Sequence, residues 1–406
     1  MLSPEAPYPL DGGGAWRTAS LLHFFARFAE VDMILFSQSG HPAALPSGLV
    51  RTQCVIRLPY HGRGQVARYT RNAGRSIRGV PPLVDRFAGY SAAIERAVGG
   101  RQYDIGVVEH FWCAPYIDQL ERFCTKTVLD LHNIESVLHG HCAQLGRNHG
   151  SQLIRMGHRR FAKAAQKLES TLLPRYSSVL TTSEEDARRV REIAPSARTH
   201  VYPNALPHVD LPICTEYPRV VFPANFEYHP NIDAVRFLVR EIWPEVKKRH
   251  PDLRLRLVGR NEEFIRHLLP AGPSAEIGIE LTGRVEDARA EIAQARIVVA
   301  PLRAGSGTRL KILEAWAAAR CVIATPLAAE GLDARDGVNI AIEADAAAFA
   351  ARISKLADDS ADRAHLAAGG RRTFEDLYSW ETVWENLNID LQLTQASGLT
   401  GYTGSF

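Results

Sequence analysis

Apolar positions along this chain follow two rhythms. Short apolar runs that close on glycine or polar residues alternate with longer segments whose apolar residues recur three and four apart, the periods of buried strands and amphipathic helices. In the first half, the runs at 31–36, 104–109, 127–131 and 178–182 read as strands. Leu21, Leu22, Phe25 and Phe28 mark the buried stripe of a helix before the first of these. In the second half, strands are expected at 220–223, 253–259, 279–283, 297–301 and 322–325, with a helix over 232–239. A basic amphipathic helical region is expected over about 150–173, and a final helix past Ser379 and Trp380 carries Trp384, Leu387, Ile389 and Leu391. The proline-spaced stretch from Val201 to Pro218 reads as a crossing between domains. Strands alternating with helices imply parallel sheets, whose ligands lie beyond the carboxyl ends of the strands. The expected class is α/β, in two successive doubly wound domains.

Three strand ends in the first half carry polar residues. The run 104–109 ends at His110-Phe111-Trp112, the next at His132-Asn133-Ile134-Glu135, and the third at Ser183. A single histidine in such a place is usually structural, but His110, His132 and Glu135 together point equally to a binding function. Ahead of them, Gly12-Gly13-Gly14 resembles the glycine loop that follows a first strand, yet almost nothing precedes it. Either the chain starts downstream of its natural first strand, which is the favoured expectation, or this domain begins irregularly.

The most informative stretch is 298–315, which reads as a buried strand, the loop Gly305-Ser306-Gly307, and a helix opening with Arg309 and Lys311 and carrying Glu314 a turn later. Glycines let backbone approach an anion, the first free N–H groups of a helix point at it, and the helix dipole favours negative charge there. Glu314 is placed to accept hydrogen bonds from a pair of sugar hydroxyls. The same run also suits an ordinary strand-to-helix turn, so its surroundings decide.

Length and charge narrow the field. A chain of 406 residues suits two domains rather than one core. A formal charge of +3, with 48 basic and 45 acidic side chains, argues against a dedicated nucleic-acid binder. Six cysteines without paired spacing read as reduced, mostly buried thiols, which suggests a cytoplasmic protein. No apolar run is long enough to span a membrane. Residues 51–101 are rich in arginine (Arg57, Arg63, Arg68, Arg71, Arg75, Arg78, Arg86). A helix over about 64–77 would present several on one face, either merely solvated or able to meet a membrane surface or an anionic acceptor.

The order of motifs resembles the GT-B glycosyltransferases, and within them the retaining family-4 branch (glycosyl transferases group 1). The resemblance runs through PYPLDGGGAWRT, VVEHFW, LDLHNIE, TTSEED and VYPNALP in the first half. In the second it runs through PANFEYHPNIDAVRFL, LRLVGRN, LTGRVEDARAEIAQARIVVAPL, GSGTRLKILEAWA and ATPLAAEGL. It implies two Rossmann-like domains facing across a cleft. Residues 1–205 would form the acceptor side, 206–379 the nucleotide-sugar donor side, 380–395 a helix packing back on the first domain, and 396–406 a flexible tail. It implies sugar transfer from a nucleotide-diphosphate sugar with retention of configuration, with the donor as substrate and no cofactor or metal. His110 matches the strand-end histidine near the reacting sugar, with Arg309 and Lys311 beside it as catalytic cations. Gly283, Arg284 and Val285 match the segment that reads the base. Gly305, Ser306, Gly307, Thr308 and Leu310 match the loop along sugar and phosphate, and Glu314 the ribose-binding glutamate. Gly12, Gly13, Gly14, His132 and Glu135 fall on the acceptor side.

Two departures stand out. Many family members have a further glutamate where this chain has Ser306. Many also carry an arginine and a lysine after the first strand of the second domain, where this chain reads Ala224-Asn225-Phe226-Glu227-Tyr228-His229-Pro230. A departing diphosphate needs positive charge, so Arg309 or Lys311 is expected to supply it, unless Lys311 simply pairs with Glu314. Competing readings are a nucleotide-sugar epimerase or hydrolase of the same fold, a protein that binds nucleotide sugar without catalysis, and a Rossmann oxidoreductase. The glycine triplet argues against the last, because it lacks the GxGxxG spacing. The expected partners are the donor, an unknown saccharide, lipid-linked or small-molecule acceptor, and a peripheral contact with the inner face of a membrane.

Overall fold

The computed structural model describes residues 1–10, 12–60, 65–149, 152–208, 215–270, 277–285, 287–304 and 310–391. They form two compact units, Met1–Asn204 with Trp384–Phe406, and Ala205–Val383.

In the first unit seven strands make one parallel sheet. They are β1 (Leu2–Ser3), β2 (Asp32–Ser37), β3 (Thr52–Arg57), β4 (Tyr103–Glu109), β5 (Cys124–Asp130), β6 (Ser178–Thr181) and β7 (Thr199–Val201), in the order β3-β2-β1-β4-β5-β6-β7. The expectation that no strand precedes the glycine triplet is overturned. Leu2 and Ser3 sit in the middle of the sheet, aligned with Ile34 and Leu35 on one side and Val108 on the other. Two residues are too few to show an alternating pattern, so the strand exists only through its neighbours. The helix that follows, Gly13–Ala26, is buried almost all round, from Trp16 to Phe25. Ser20 Oγ ties it to the end of the chain, accepting from Trp384 Nε1 at 3.1 Å.

In the second unit β8 (Tyr217–Pro223), β9 (Arg254–Val258), β10 (Ile279–Gly283), β11 (Ala295–Ala300), β12 (Val322–Ala324) and β13 (Ala341–Ile342) form a parallel sheet in the order β10-β9-β8-β11-β12-β13. Its centre is apolar on both faces: Val220, Val221, Phe222, Val298, Val299, Ile323 and Ala324 are fully buried. Each larger side chain contributes on the order of 1.5–3 kcal/mol by leaving water. Gly259, just past β9, has φ 146°, and a methyl group there would stand 1.8 Å from the Ala224 carbonyl oxygen. Only glycine lets these two strand ends approach so closely.

Other expectations change in detail. The basic region expected over about 150–173 is the helix Gln152–Leu172, and a further helix, Glu135–His149, precedes it and packs against it. In the last helix, Trp380–Asp390, Trp384 and Leu387 are buried, as is Leu391 just beyond it, but Ile389 is 74% exposed because it falls off their stripe. In the arginine-rich helix, Gln65–Arg78, Arg75 and Arg78 each lie 2.8 Å from Asp85, so this face is partly neutralised. Arg63 lies outside the described residues. Of the cysteines, Cys113 and Cys321 are buried, whereas Cys54, Cys124 and Cys142 are only partly so.

Candidate functional site

In each sheet the strand order reverses at the first strand, between β1 and β4 and between β8 and β11. Loops leaving the carboxyl ends there diverge and open a crevice for ligands.

In the first unit, parallel register sets Glu109 beside Asp130 at the ends of β4 and β5, both fully buried. Two buried carboxylates side by side repel unless cations intervene. Arg17, from the helix Gly13–Ala26, grips Asp130 with both ends of its fork, Nε to Oδ2 at 2.8 Å and Nη2 to Oδ1 at 2.5 Å. Its Nη1 donates to the Tyr202 carbonyl at 2.5 Å and to Asn204 Oδ1 at 3.1 Å. His132 Nε2 lies 2.7 Å from Glu109 Oε2 and 3.2 Å from Asp130 Oδ2, and Thr18 Oγ1 donates to Glu109 Oε2 at 3.0 Å. Glu109 Oε1 is buried without a partner. Burial would drive each group to its neutral form. At Asp130 burial is outweighed by Arg17 and His132, which hold the carboxyl well below its usual range. Burial and the neighbouring Asp130 charge push Glu109 up. His132 is raised, since its bonds to Asp130 and Glu109 overcome burial. The group reads as a guanidinium and an imidazolium shared by two carboxyls.

Above this floor the rings stack. His110 lies face to face with His132 at 3.5 Å between centroids and with Trp112 at 4.2 Å. Burial and the adjacent His132 charge hold His110 far below its usual pKa, so it is a neutral imidazole. Its backbone adopts φ 64° and ψ 141°, a region nearly restricted to glycine, which costs on the order of 1–3 kcal/mol. Trp112 Nε1 donates to Glu135 Oε1 at 2.5 Å, and burial lifts the Glu135 carboxyl to about 7. A methyl group on Gly14 would stand 3.6 Å from His132 Nδ1 and 3.7 Å from His110 Nε2. The fold thus gathers Gly14, His110, His132 and Glu135 from three loops into one cluster. Gly12 and Gly13 are exposed at its edge.

In the second unit, Gly305, Ser306, Gly307, Thr308 and Arg309 lie outside the described residues. The helix Leu310–Ala317 begins with half-buried Leu310 and Lys311. Lys311 Nζ reaches back to β8, 4.3 Å from the centroid of the Phe222 ring and 3.1 Å from Asn231 Oδ1. Asn231 Nδ2 donates to the Asn225 carbonyl, and Asn261 Nδ2 to Asn225 Oδ1, both at 2.8 Å. The loop that lacks its own cations is therefore bonded, through Asn231, to a lysine from 80 residues away. Burial raises the Glu314 carboxyl, with the Lys311 charge opposing. Gly283 ends β10 at φ 67°, Arg284 is exposed and Val285 is half-buried. The helix after this segment, Ala288–Ala293, packs against Leu310–Ala317.

Arg17, Glu109, Asp130 and Asn231 carry no local signal. Arginine inside a helix reads as a solvated position, and two strand-end carboxylates become neighbours only through register. Glu109, Asp130 and His132 offer ligand atoms within 4.8 Å of one another, a spacing that suits a metal ion. Here Arg17 already holds both Asp130 oxygens and supplies the positive charge the carboxylates need.

Residues 217–359 match the family model described as Glycosyl transferases group 1. No curated protein sequence matches the chain. Among solved structures, sucrose-phosphate synthase from Thermosynechococcus elongatus is similar over 96% of this chain and 98% of that one, at 16% identity and a TM-score of 0.71. Trehalose-6-phosphate synthase OtsA is similar over 97% and 98%, at 14% identity and 0.67. Anabaena HepE in complex with UDP and glucose is similar over 97% and 99%, at 15% identity and 0.62.

Proposed function

We infer that this chain, whose residues 217–359 match the glycosyl transferases group 1 model and whose two parallel sheets make the GT-B fold, transfers a sugar from a nucleotide-diphosphate sugar. The observation that carries the reading is Lys311. Where relatives commonly use cations on the loop after the first strand of the second domain, this chain has none, and Lys311 arrives at that loop through Asn231. A half-buried ammonium at the mouth of a helix is the group a departing diphosphate requires, because charge grows on the phosphate as the bond to sugar breaks. Arg309, two residues earlier in the sequence, adds a second cation. Glu314 takes the ribose hydroxyls, and Gly283, Arg284 and Val285 take the base.

The acceptor belongs to the first unit. His110, neutral and clamped between two aromatic faces, offers a ring nitrogen to a sugar hydroxyl without adding charge to the site. Transfer proceeds with retention: the acceptor attacks from the face that the diphosphate leaves, and the phosphate takes the acceptor proton. The protein then contributes positioning and a cationic cradle rather than a nucleophile.

A thermal-shift panel of UDP, GDP, ADP and their sugars tests the reading, since a ligand that binds only the folded state raises Tm. UDP comes first because HepE was solved with it. At least one nucleoside diphosphate should raise Tm, and Lys311→Met should weaken that response. A panel with no response from any nucleotide defeats the donor assignment. Arg309→Ala with Lys311→Ala should abolish transfer to an acceptor, and parental turnover in that double variant would mean the cations are elsewhere.

A further inference from the structure

Several surface arginines of the first unit are neutralised by nearby carboxylates. Arg122 pairs with Glu95, Arg175 with Asp118 and Glu121, Arg188 with Glu185 and Glu192, and Arg51 with Glu30 and Asp32. The helix Gln152–Leu172 breaks this pattern. Met156, Arg159, Arg160, Lys163 and Lys167 are spaced three and four apart, all exposed, so they form one continuous stripe. Among the described residues no carboxylate pairs with any of these four cations, and Glu169, nearest in sequence, is buried and bonded to Ser136 instead.

The stripe borders a groove of about 530 Å³ against the helix Glu135–His149, whose lining includes Gly140, Ala143 and Ala162. Met156, 51% exposed, stands in the groove wall. Small apolar residues below, a flexible thioether beside them and a row of cations along the rim match an amphiphile with an anionic head. They do not match a single-stranded nucleic acid, which stacks its bases on aromatic side chains that this stripe lacks.

We propose that the groove and cationic stripe of the helix Gln152–Leu172 dock this protein onto an anionic lipid surface. The sequence left the helix Gln65–Arg78 as either a solvated face or one able to meet a membrane surface or an anionic acceptor, and there Asp85 holds Arg75 and Arg78. On the proposed face the four charges stay available to lipid headgroups, while Met156 and the small residues accept the adjoining acyl region. Attraction of this kind adds up charge by charge and is screened by salt.

Sedimentation of the full chain with vesicles tests this, without reference to sugar transfer. Vesicles of phosphatidylcholine containing phosphatidylglycerol should carry the protein down at low salt, and pure phosphatidylcholine should not. Each of Arg159→Gln, Arg160→Gln, Lys163→Gln and Lys167→Gln should weaken the partition roughly fivefold. Arg188→Gln, on a neutralised face, should change it little. Melting curves check that each variant is folded. No binding to anionic vesicles overturns the proposal. So does binding that the stripe substitutions leave intact, or capture by a soluble anionic polysaccharide in place of vesicles.

Discussion

At the ends of β4 and β5 the first unit buries four ionisable groups, Arg17, Glu109, Asp130 and His132, in contact with one another. Beyond the ends of β8 and β9 the described residues of the second unit join through amides and backbone, Asn225, Asn231, Asn261 and the close approach at Gly259, with the half-buried Lys311 bonded to Asn231. The two sheets share a topology, so the contrast belongs to the sites. Charges buried in a mutually neutral group are held rigidly and fix the rings stacked on them, at the cost of strong dependence on every member. A lysine on a flexible stem, half open to water, can reorient. The first unit presents a preset floor and the second a half-open lysine.

The largest expected effect breaks the first floor. Arg17→Met leaves Asp130 buried without its guanidinium and should cost about 3–5 kcal/mol in urea unfolding. A loss below 1 kcal/mol would mean that the floor tolerates an unpaired carboxylate and that the contrast is false.

Next is a pH effect on the same unit. Burial lifts the Glu135 carboxyl from 4.5 to about 7, so between these values the folded chain keeps a proton that the unfolded chain has released. Stability from this group is therefore fully present below about 4.5 and is lost as pH rises to about 7. The whole shift amounts to about 3 kcal/mol. Glu135→Gln, which keeps an acceptor for Trp112, should flatten the profile and make the protein more stable than the parent at pH 8. Parallel profiles for parent and variant would refute the assignment.

A finer probe is Glu109→Gln. Removing one of the two carboxylates that hold His132 protonated should lower the His132 pKa and release some of the repulsion on His110, so both imidazoles shift in NMR titration. If neither moves, His132 is not the charge beneath His110.

The smallest structural effect is expected in the second unit. Lys311→Met keeps the stem over Phe222 and should change stability by less than about 1 kcal/mol, while blunting the nucleotide-induced Tm shift. A stability loss as large as that of Arg17→Met would make Lys311 a structural ion rather than a ligand group.

Strand positions were legible because apolar runs must be buried, and His110, His132 and Glu135 were legible because polar residues at strand ends face crevices. Which basic face stays open to a partner was not legible, for a definite reason. Arginine spacing describes a helix face, but whether a charge is available depends on what opposes it, and Asp85 is opposite Arg75 and Arg78 while no described carboxylate pairs with Arg159, Arg160, Lys163 or Lys167.

By itself, then, the sequence determined the βα rhythm, the two successive domains and the strand-end positions where chemistry gathers, since periodicity and turn residues act over short stretches of chain. Tertiary structure alone decided that Leu2 and Ser3 form a central strand, that Arg17 meets Asp130 across 113 residues, and that Lys311 reaches Asn231 across 80. Such pairings are fixed by sheet order, register and the exclusion of water, and none of these is written in the residues beside them.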